Sequence, residues 1–250
     1  MKNIIILGLI FNIAFANISK EQLNEYLKVS VGGAFFSTIH FNLLVKFAQK
    51  GLDKSALKKI ANDEKYVRLY AYKFMKFSKN EYIELTKFYK SEVGEKYVKS
   101  IYDISKIDKN NYQELYLQTK CTEEKKAIIE QINKKLNILN LKLEFSKKYF
   151  SEINAHRPKN FQKSIYEIEI NELNYKEKLI QHEKILSCLQ YKNFTVEELS
   201  KINDYASTKI FKEEIQLIYE GLGKYIKVLF EDIEEPLAKY YKEIQSIPRL

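Results

Sequence analysis

The stretch Phe77-Ser78-Lys79-Asn80-Glu81-Tyr82 predicts the start of a helix with two mutually supporting caps. The Ser78 hydroxyl can accept a hydrogen bond from the Glu81 amide, while the Glu81 carboxylate can accept one from the Ser78 amide. Phe77 and Tyr82 can pack on each other across the helix start as a hydrophobic staple. Apolar residues then follow at helical spacing: Tyr82, Leu85, Phe88 and Tyr89. The stretch therefore favours an amphipathic helix with one face in a core.

A second helix is predicted to follow at once, because Ser91 can cap it. Gly94 lies near its start, where a glycine costs about 1 kcal/mol in helix propensity. Since glycine has no Cβ, we expect Gly94 to let the two helices cross closely at the bend.

The same capping device recurs 117 positions later, in Phe194-Thr195-Val196-Glu197-Glu198-Leu199. Phe211 stands where the first copy has Gly94, so the second pair of helices is expected to approach less closely. Thr122 is predicted to open a long helix to about residue 153, as Ser19 opens one over 20–29. These parallels predict an internal duplication. The expected domains are a signal peptide at 1–16, an N-terminal helical repeat at 17–118 and a C-terminal helical repeat at 119–250.

The low number of turn residues favours an all-α fold. The chain has only 7 glycines and 3 prolines. Sheets and phosphate-binding loops need more turn chemistry than this. The remaining periodic segments predict an apolar helix ended by Gly51, a helix from 161 to about 190, and a C-terminal helix at 223–245 that Pro236 kinks or interrupts. We predict an all-α helical bundle built from two diverged copies of a helical-hairpin unit.

The N-terminus has the pattern of a cleavable secretory signal. Lys2 supplies the positive charge, Ile4 to Phe15 supply the apolar run, and Ala14-Phe15-Ala16 supplies the cleavage site. The run is shorter than the roughly 20 apolar residues of a membrane span. The sequence thus predicts a periplasmic protein that begins at Asn17 and keeps no integral membrane segment after cleavage.

Charge and cysteine content limit the partners and the chemistry. The 42 Lys and Arg against 33 Asp and Glu are scattered rather than clustered, which indicates solvated helix faces and no nucleic-acid partner. In an oxidising compartment Cys121 and Cys188 can form a disulfide, and the alternative is two separate buried thiols. No Cys-x-x-Cys motif is present, so a thioredoxin-type thiol oxidoreductase is not expected.

No motif for catalysis, metal binding or cofactor binding stands out, so we predict no cofactor and no metal site. The histidines His40, His156 and His182 lack ligand spacing to one another or to a cysteine. His40 is predicted to be a core or boundary residue, and His156 to lie at a helix C-terminus. The acidic run Glu231-Asp232 and Glu234-Glu235 lacks the spacing of a calcium loop and is predicted to be a solvated helix face.

The pattern Phe77-Ser78-x-x-Glu81, then Leu85-x-x-Phe88-Tyr89-x-Ser91-x-x-Gly94-x-Lys96, resembles the bacterial secreted family known as domain of unknown function 2059. The segment from Leu23 to Phe47 also looks like the start of that domain. The second copy matches through Phe194, Thr195, Glu198, Leu199 and Tyr205, and lacks the glycine. The resemblance implies an all-helical periplasmic protein and supplies no reaction or catalytic residues.

Three functions therefore stay open at the level of sequence. The leading hypothesis is a non-enzymatic binding or scaffolding module that recognises a protein or an envelope component through a groove between its halves. The second is an envelope-directed hydrolase whose site is assembled only in the fold. The third is a peripheral membrane protein that binds through a basic amphipathic helix.

Overall fold

The structure, a computed structural model, describes residues 18–49, 51–61, 63–119, 121–157, 159, 162 and 165–246. The predicted signal peptide lies outside these residues. The described part of the chain holds no strand and consists of helices, which confirms the all-α prediction. Its α-helices are α1 Lys20–Val29, α2 Val31–Gln49, α3 Lys54–Ala61, α4 Glu64–Ala71, α5 Lys79–Tyr89, α6 Glu92–Ser105, α7 Tyr112–Gln118, α8 Glu123–Lys135, α9 Ile138–Ala155, α10 Ile165–Gln190, α11 Val196–Tyr205, α12 Lys209–Asp232 and α13 Glu234–Ser246, with 3-10 turns at Tyr72–Lys76 and Lys109–Asn111.

The helix boundaries follow the capping chemistry of the sequence. Ser19 begins α1 with a capping box, in which its side chain accepts from the Gln22 amide. Asp63 caps α4 by accepting from the Lys65 amide. Gly51 has a φ of 84°, the left-handed conformation expected of a glycine that ends a helix such as α2.

Two predicted helix boundaries are wrong, one after Thr122 and one at 223. The long helix expected from Thr122 breaks between α8 and α9, where Asn137 adopts a φ of 53°. Asparagine tolerates this left-handed conformation better than most residues. The C-terminal helix expected to begin at 223 is instead continuous with the preceding helix, as α12 from Lys209 to Asp232. The interruption predicted for Pro236 is confirmed at Ile233, because the ring of Pro236 conflicts with a helical carbonyl at Asp232, four residues earlier.

Helix α12 forms the centre of the bundle. It packs against α9 on one side, and against α2, α4 and the first 3-10 turn on another. The buried apolar side chains form one contiguous core that runs from Ile18 to Leu237 and contains residues of both halves. The two predicted repeats therefore share a core.

The two halves also repeat the same packing order. In the first half α1 packs on α5 and α2 packs on α6, and in the second half α8 packs on α11 and α9 on α12. The aromatic rings of Phe88 and Tyr205, which are 117 positions apart, stack at a centroid distance of 3.7 Å. The internal duplication stays a prediction, and this recurrent packing agrees with it.

Among the described residues, α2 is the one helix that is long and apolar enough to cross a membrane by length and composition alone. Core helices and signal sequences pass the same test. In the bundle α2 packs against α1, α3, α6 and α12. An apolar helix so near the N-terminus is compatible with secretion.

Candidate functional site

The two predicted capping boxes are present. Ser78 accepts from the Glu81 amide at 3.3 Å, and its own amide donates to the Glu81 carboxylate at 2.7 Å. Thr195 and Glu198 repeat the arrangement at 3.1 and 2.7 Å. The preceding aromatic residues Phe77 and Phe194 are both buried, as a staple requires. These motifs begin α5 and α11, so their role is structural.

The second capping box also holds a contact between the halves. The Lys96 ammonium on α6 lies 2.7 Å from both carboxylate oxygens of Glu198 and 4.9 Å from the centroid of the Phe194 ring. Partial burial alone would raise the pKa of Glu198, but the hydrogen bonds from Lys96 and Thr195 outweigh it and lower the pKa. The pair therefore joins α6 to the start of α11.

Gly94 lies at the bend between α5 and α6, where a larger residue would force the backbone to shift. A Cβ at this position would stand 2.0 Å from the Phe88 carbonyl oxygen. In the second half the buried Phe211 takes the place of Gly94, and three residues (206–208) rather than two (90–91) join the helices. The wider corner agrees with the expected difference between the halves.

Cys121 and Cys188 are joined in a disulfide, with their Cα atoms 5.9 Å apart. Cys121 precedes α8 and Cys188 lies near the end of α10, so the bond ties these two helices together. Of the two alternatives left open by the sequence, the structure has the paired thiols. No described cysteine is free.

Two of the three histidines, His40 and His156, contribute to packing. His40 is half-buried, its Nδ1 lies 2.8 Å from the Tyr225 hydroxyl, and its ring stacks on Phe36. Burial lowers the pKa of His40 despite a hydrogen bond with the Ala61 carbonyl, so His40 is neutral at pH 7. The prediction of a core or boundary histidine is confirmed. His156 caps the C-terminus of α9 as expected, and His182 is exposed.

The acidic run of α12 and α13 borders an open cavity of about 640 Å³. Asp232 accepts from the Tyr66 hydroxyl at 2.6 Å and pairs with Lys65 at 2.6 Å, while Glu231, Glu234 and Glu235 are exposed. Within the described part of the chain, no group of three or more His, Cys, Asp or Glu side chains could hold a metal ion.

The core contains one carboxyl that the sequence did not predict, that of Glu214 on α12, which is fully buried. It accepts hydrogen bonds from the hydroxyls of Tyr26 on α1 and Tyr89 on α5, the latter at 2.6 Å. Burial raises the pKa of Glu214 to about 7, although both hydrogen bonds act to lower it. The available signal was its position, because Glu214 lies four residues from Ile210 and from Ile218 on the apolar stripe of α12.

An apolar cleft lies where α2, α9 and α12 meet, and Ile226 is its lining residue on α12. It encloses about 400 Å³ between α2 of the first half and α9 of the second, and α12 forms its floor. Most of its lining is aliphatic or aromatic, with three polar side chains. The lining residues are Ile39, Asn42, Leu43, Lys46, Phe145, Ser146, Tyr149, Phe150 and Ile226.

Comparison with protein-family models, with curated proteins and with solved structures gave no match for this chain. The resemblance carried by Ser78, Glu81 and Gly94 therefore stays a prediction.

Proposed function

We propose that this protein is a non-enzymatic helical binding or scaffolding module of the periplasm, which recognises a protein or an envelope component in the cleft between its two halves. The observation that carries the proposal is the composition of the cleft, in which α2 and α9 of different halves contribute opposite walls. A ligand there would contact both halves at once.

The chemistry of the lining supports binding. Ligand sites are typically concave and mostly apolar, with a few polar groups that set orientation. Here Phe145, Tyr149 and Phe150 supply the aromatic surface, and Asn42 supplies an exposed amide at the same cleft. Aromatic side chains contribute large contact areas to interfaces.

The carboxyl of Glu214, whose pKa burial raises to about 7, is separate from this cleft. Glu214 is fully buried, and neither it nor its partners Tyr26 and Tyr89 line the cleft. A ligand in the cleft has no access to that carboxyl. This separation favours binding over catalysis.

Secretion is supported by two independent features. The disulfide between Cys121 and Cys188 is typical of an oxidising compartment. The N-terminal pattern of Lys2 and the following apolar run is typical of a secretory signal.

The test is retention of envelope components by the immobilised protein and by two variants. Asn42→Arg places a long charged side chain at the cleft, whereas Ser37→Arg changes an exposed residue of α2 outside it. We expect an envelope extract of the producing cells to yield a component that wild type and Ser37→Arg retain and Asn42→Arg loses. A component held equally by both variants, or none above background, would contradict the proposal.

A further inference from the structure

We propose that Glu214, Tyr26 and Tyr89 form a pH-sensitive junction between the two halves, closed when the Glu214 carboxyl is protonated and loosened when it ionises. Tyr26 and Tyr89 belong to the first half and Glu214 to the second, so their hydrogen bonds join the halves within the shared core. This inference is independent of the ligand of the cleft.

The geometry makes the ionised state costly. The carboxyl has no exposure to solvent, and no described Lys, Arg or His pairs with it. A buried charge without a cationic partner is strongly disfavoured. The neutral acid avoids this cost and keeps its partners, because a carboxylic acid and a tyrosine hydroxyl can each donate and accept.

Among the residues that the structure describes, the surroundings of the carboxyl supply no group that offsets the charge. In the described part of the chain, the titratable groups that interact with Glu214 are tyrosines, one each from α1, α4, α5, α6 and α11: Tyr26, Tyr70, Tyr89, Tyr97 and Tyr205. Burial, together with the Glu214 carboxylate, raises the pKa of each of them above the ordinary value. They stay neutral hydroxyls over the physiological range. Titration in this cluster is therefore that of Glu214.

The direction of the pH dependence follows from the raised pKa. Between the ordinary value of 4.5 and about 7, the folded protein binds a proton that the unfolded chain has released. The contribution of Glu214 to stability is therefore fully present below pH 4.5 and is lost as the pH rises through 7. From pH 5 to pH 8 the unfolding equilibrium constant should rise on the order of 50-fold through this group.

Other carboxyls act in the opposite sense, so a variant must isolate the contribution of Glu214. Hydrogen bonds lower the pKa of Glu25 and Glu198, and the stability that these groups contribute is lost as the pH falls. Urea unfolding at pH 5 and pH 8 is compared for the wild type, Glu214→Gln and Glu213→Gln. Glu213 is the matched control, because it is the neighbouring glutamate on α12 and is partly exposed.

In wild type and in Glu213→Gln, we expect ionisation of Glu214 to raise the unfolding equilibrium constant on the order of 50-fold from pH 5 to pH 8. Glu214→Gln should lack this increase. The same pH dependence in Glu214→Gln and wild type would overturn the proposal.

If Glu214→Gln does not fold, a measurement on the wild type tests the same junction. Hydrogen exchange, corrected for the intrinsic effect of pH, should show α1 losing protection between pH 5 and pH 8. Helix α8 supplies the internal reference, because none of the residues that interact with Glu214 lies on it. Unchanged protection of α1 relative to α8 would refute the junction.

Discussion

At the residue scale, the fold depends on single positions where one atom decides whether two helices can meet. A Cβ at Gly94 would meet a backbone carbonyl oxygen at 2.0 Å, and a backbone atom can move only if the corner opens. At Gly223 on α12, the nearest atom to a Cβ is the Lys148 Cδ at 3.1 Å, which belongs to a flexible side chain. These two helical glycines should therefore respond to alanine in opposite ways.

The residue-scale prediction is that Gly94→Ala lowers the free energy of unfolding by about 2 to 3 kcal/mol, since the new methyl group overpacks a tight corner. Gly223→Ala should instead be neutral or raise it by up to about 1 kcal/mol through helix propensity. Urea denaturation of both variants measures the difference. Equal effects at the two positions would show that a methyl group at residue 94 does not overpack the corner between α5 and α6.

At the scale of elements, separate helices are joined by a few contacts between side chains distant in sequence. The disulfide between Cys121 and Cys188 ties the start of α8 to α10. The Lys96 ammonium ties α6 to the capping box of α11. Because the Glu198 carboxylate already accepts from the Thr195 amide, the ion pair and the cap stabilise the same helix start.

The element-scale prediction concerns Lys96→Met, which keeps an apolar stem and removes the ammonium. We expect a loss of about 1 to 2 kcal/mol in the free energy of unfolding, from the charged hydrogen bonds and the contact with the Phe194 ring.

The matched control for that change is Lys201→Met on α11. Lys201 pairs with Glu197 at 2.8 Å, but both side chains are largely exposed, and such pairs contribute little. This variant should stay within about 0.5 kcal/mol of wild type. If chemical denaturation shows the same loss for both variants, the bridge between the halves has no special role.

At the scale of the whole molecule, the two halves cannot be separated without exposing the core. The first-half tyrosines Tyr26, Tyr66 and Tyr89 donate hydrogen bonds to Glu214 or Asp232, which both lie on α12. Helices α2 and α4 also pack their buried faces on α12. The sequence repeats are therefore not expected to be independent folding units.

We accordingly predict that residues 17–118 produced alone do not fold cooperatively, because the fragment loses the apolar surface of α12 that covers its core. Circular dichroism during thermal unfolding gives the measurement, with the chain from residue 17 to 250 as the control. A sharp transition of the isolated fragment at native helix content would show that the first half folds without α12.

The sequence by itself determined the fold class and the starts of the capped helices. These are local properties, since Ser78 and Glu81, or Thr195 and Glu198, meet within one turn of helix. Local reasoning failed where a residue had two acceptable states. Asn137 could have continued a helix but took the left-handed conformation, and Gly223 could have ended a helix but lies inside α12.

Only the tertiary structure decided which distant side chains meet. The partners of Glu214 lie 188 and 125 residues away in the chain, and the paired cysteines are 67 residues apart. Periodicity shows which face of a helix is apolar, but not which helix covers it. The pairing of α2 with α9 at the cleft, and the burial of a carboxyl among tyrosine hydroxyls, arise from the way the helices pack around α12.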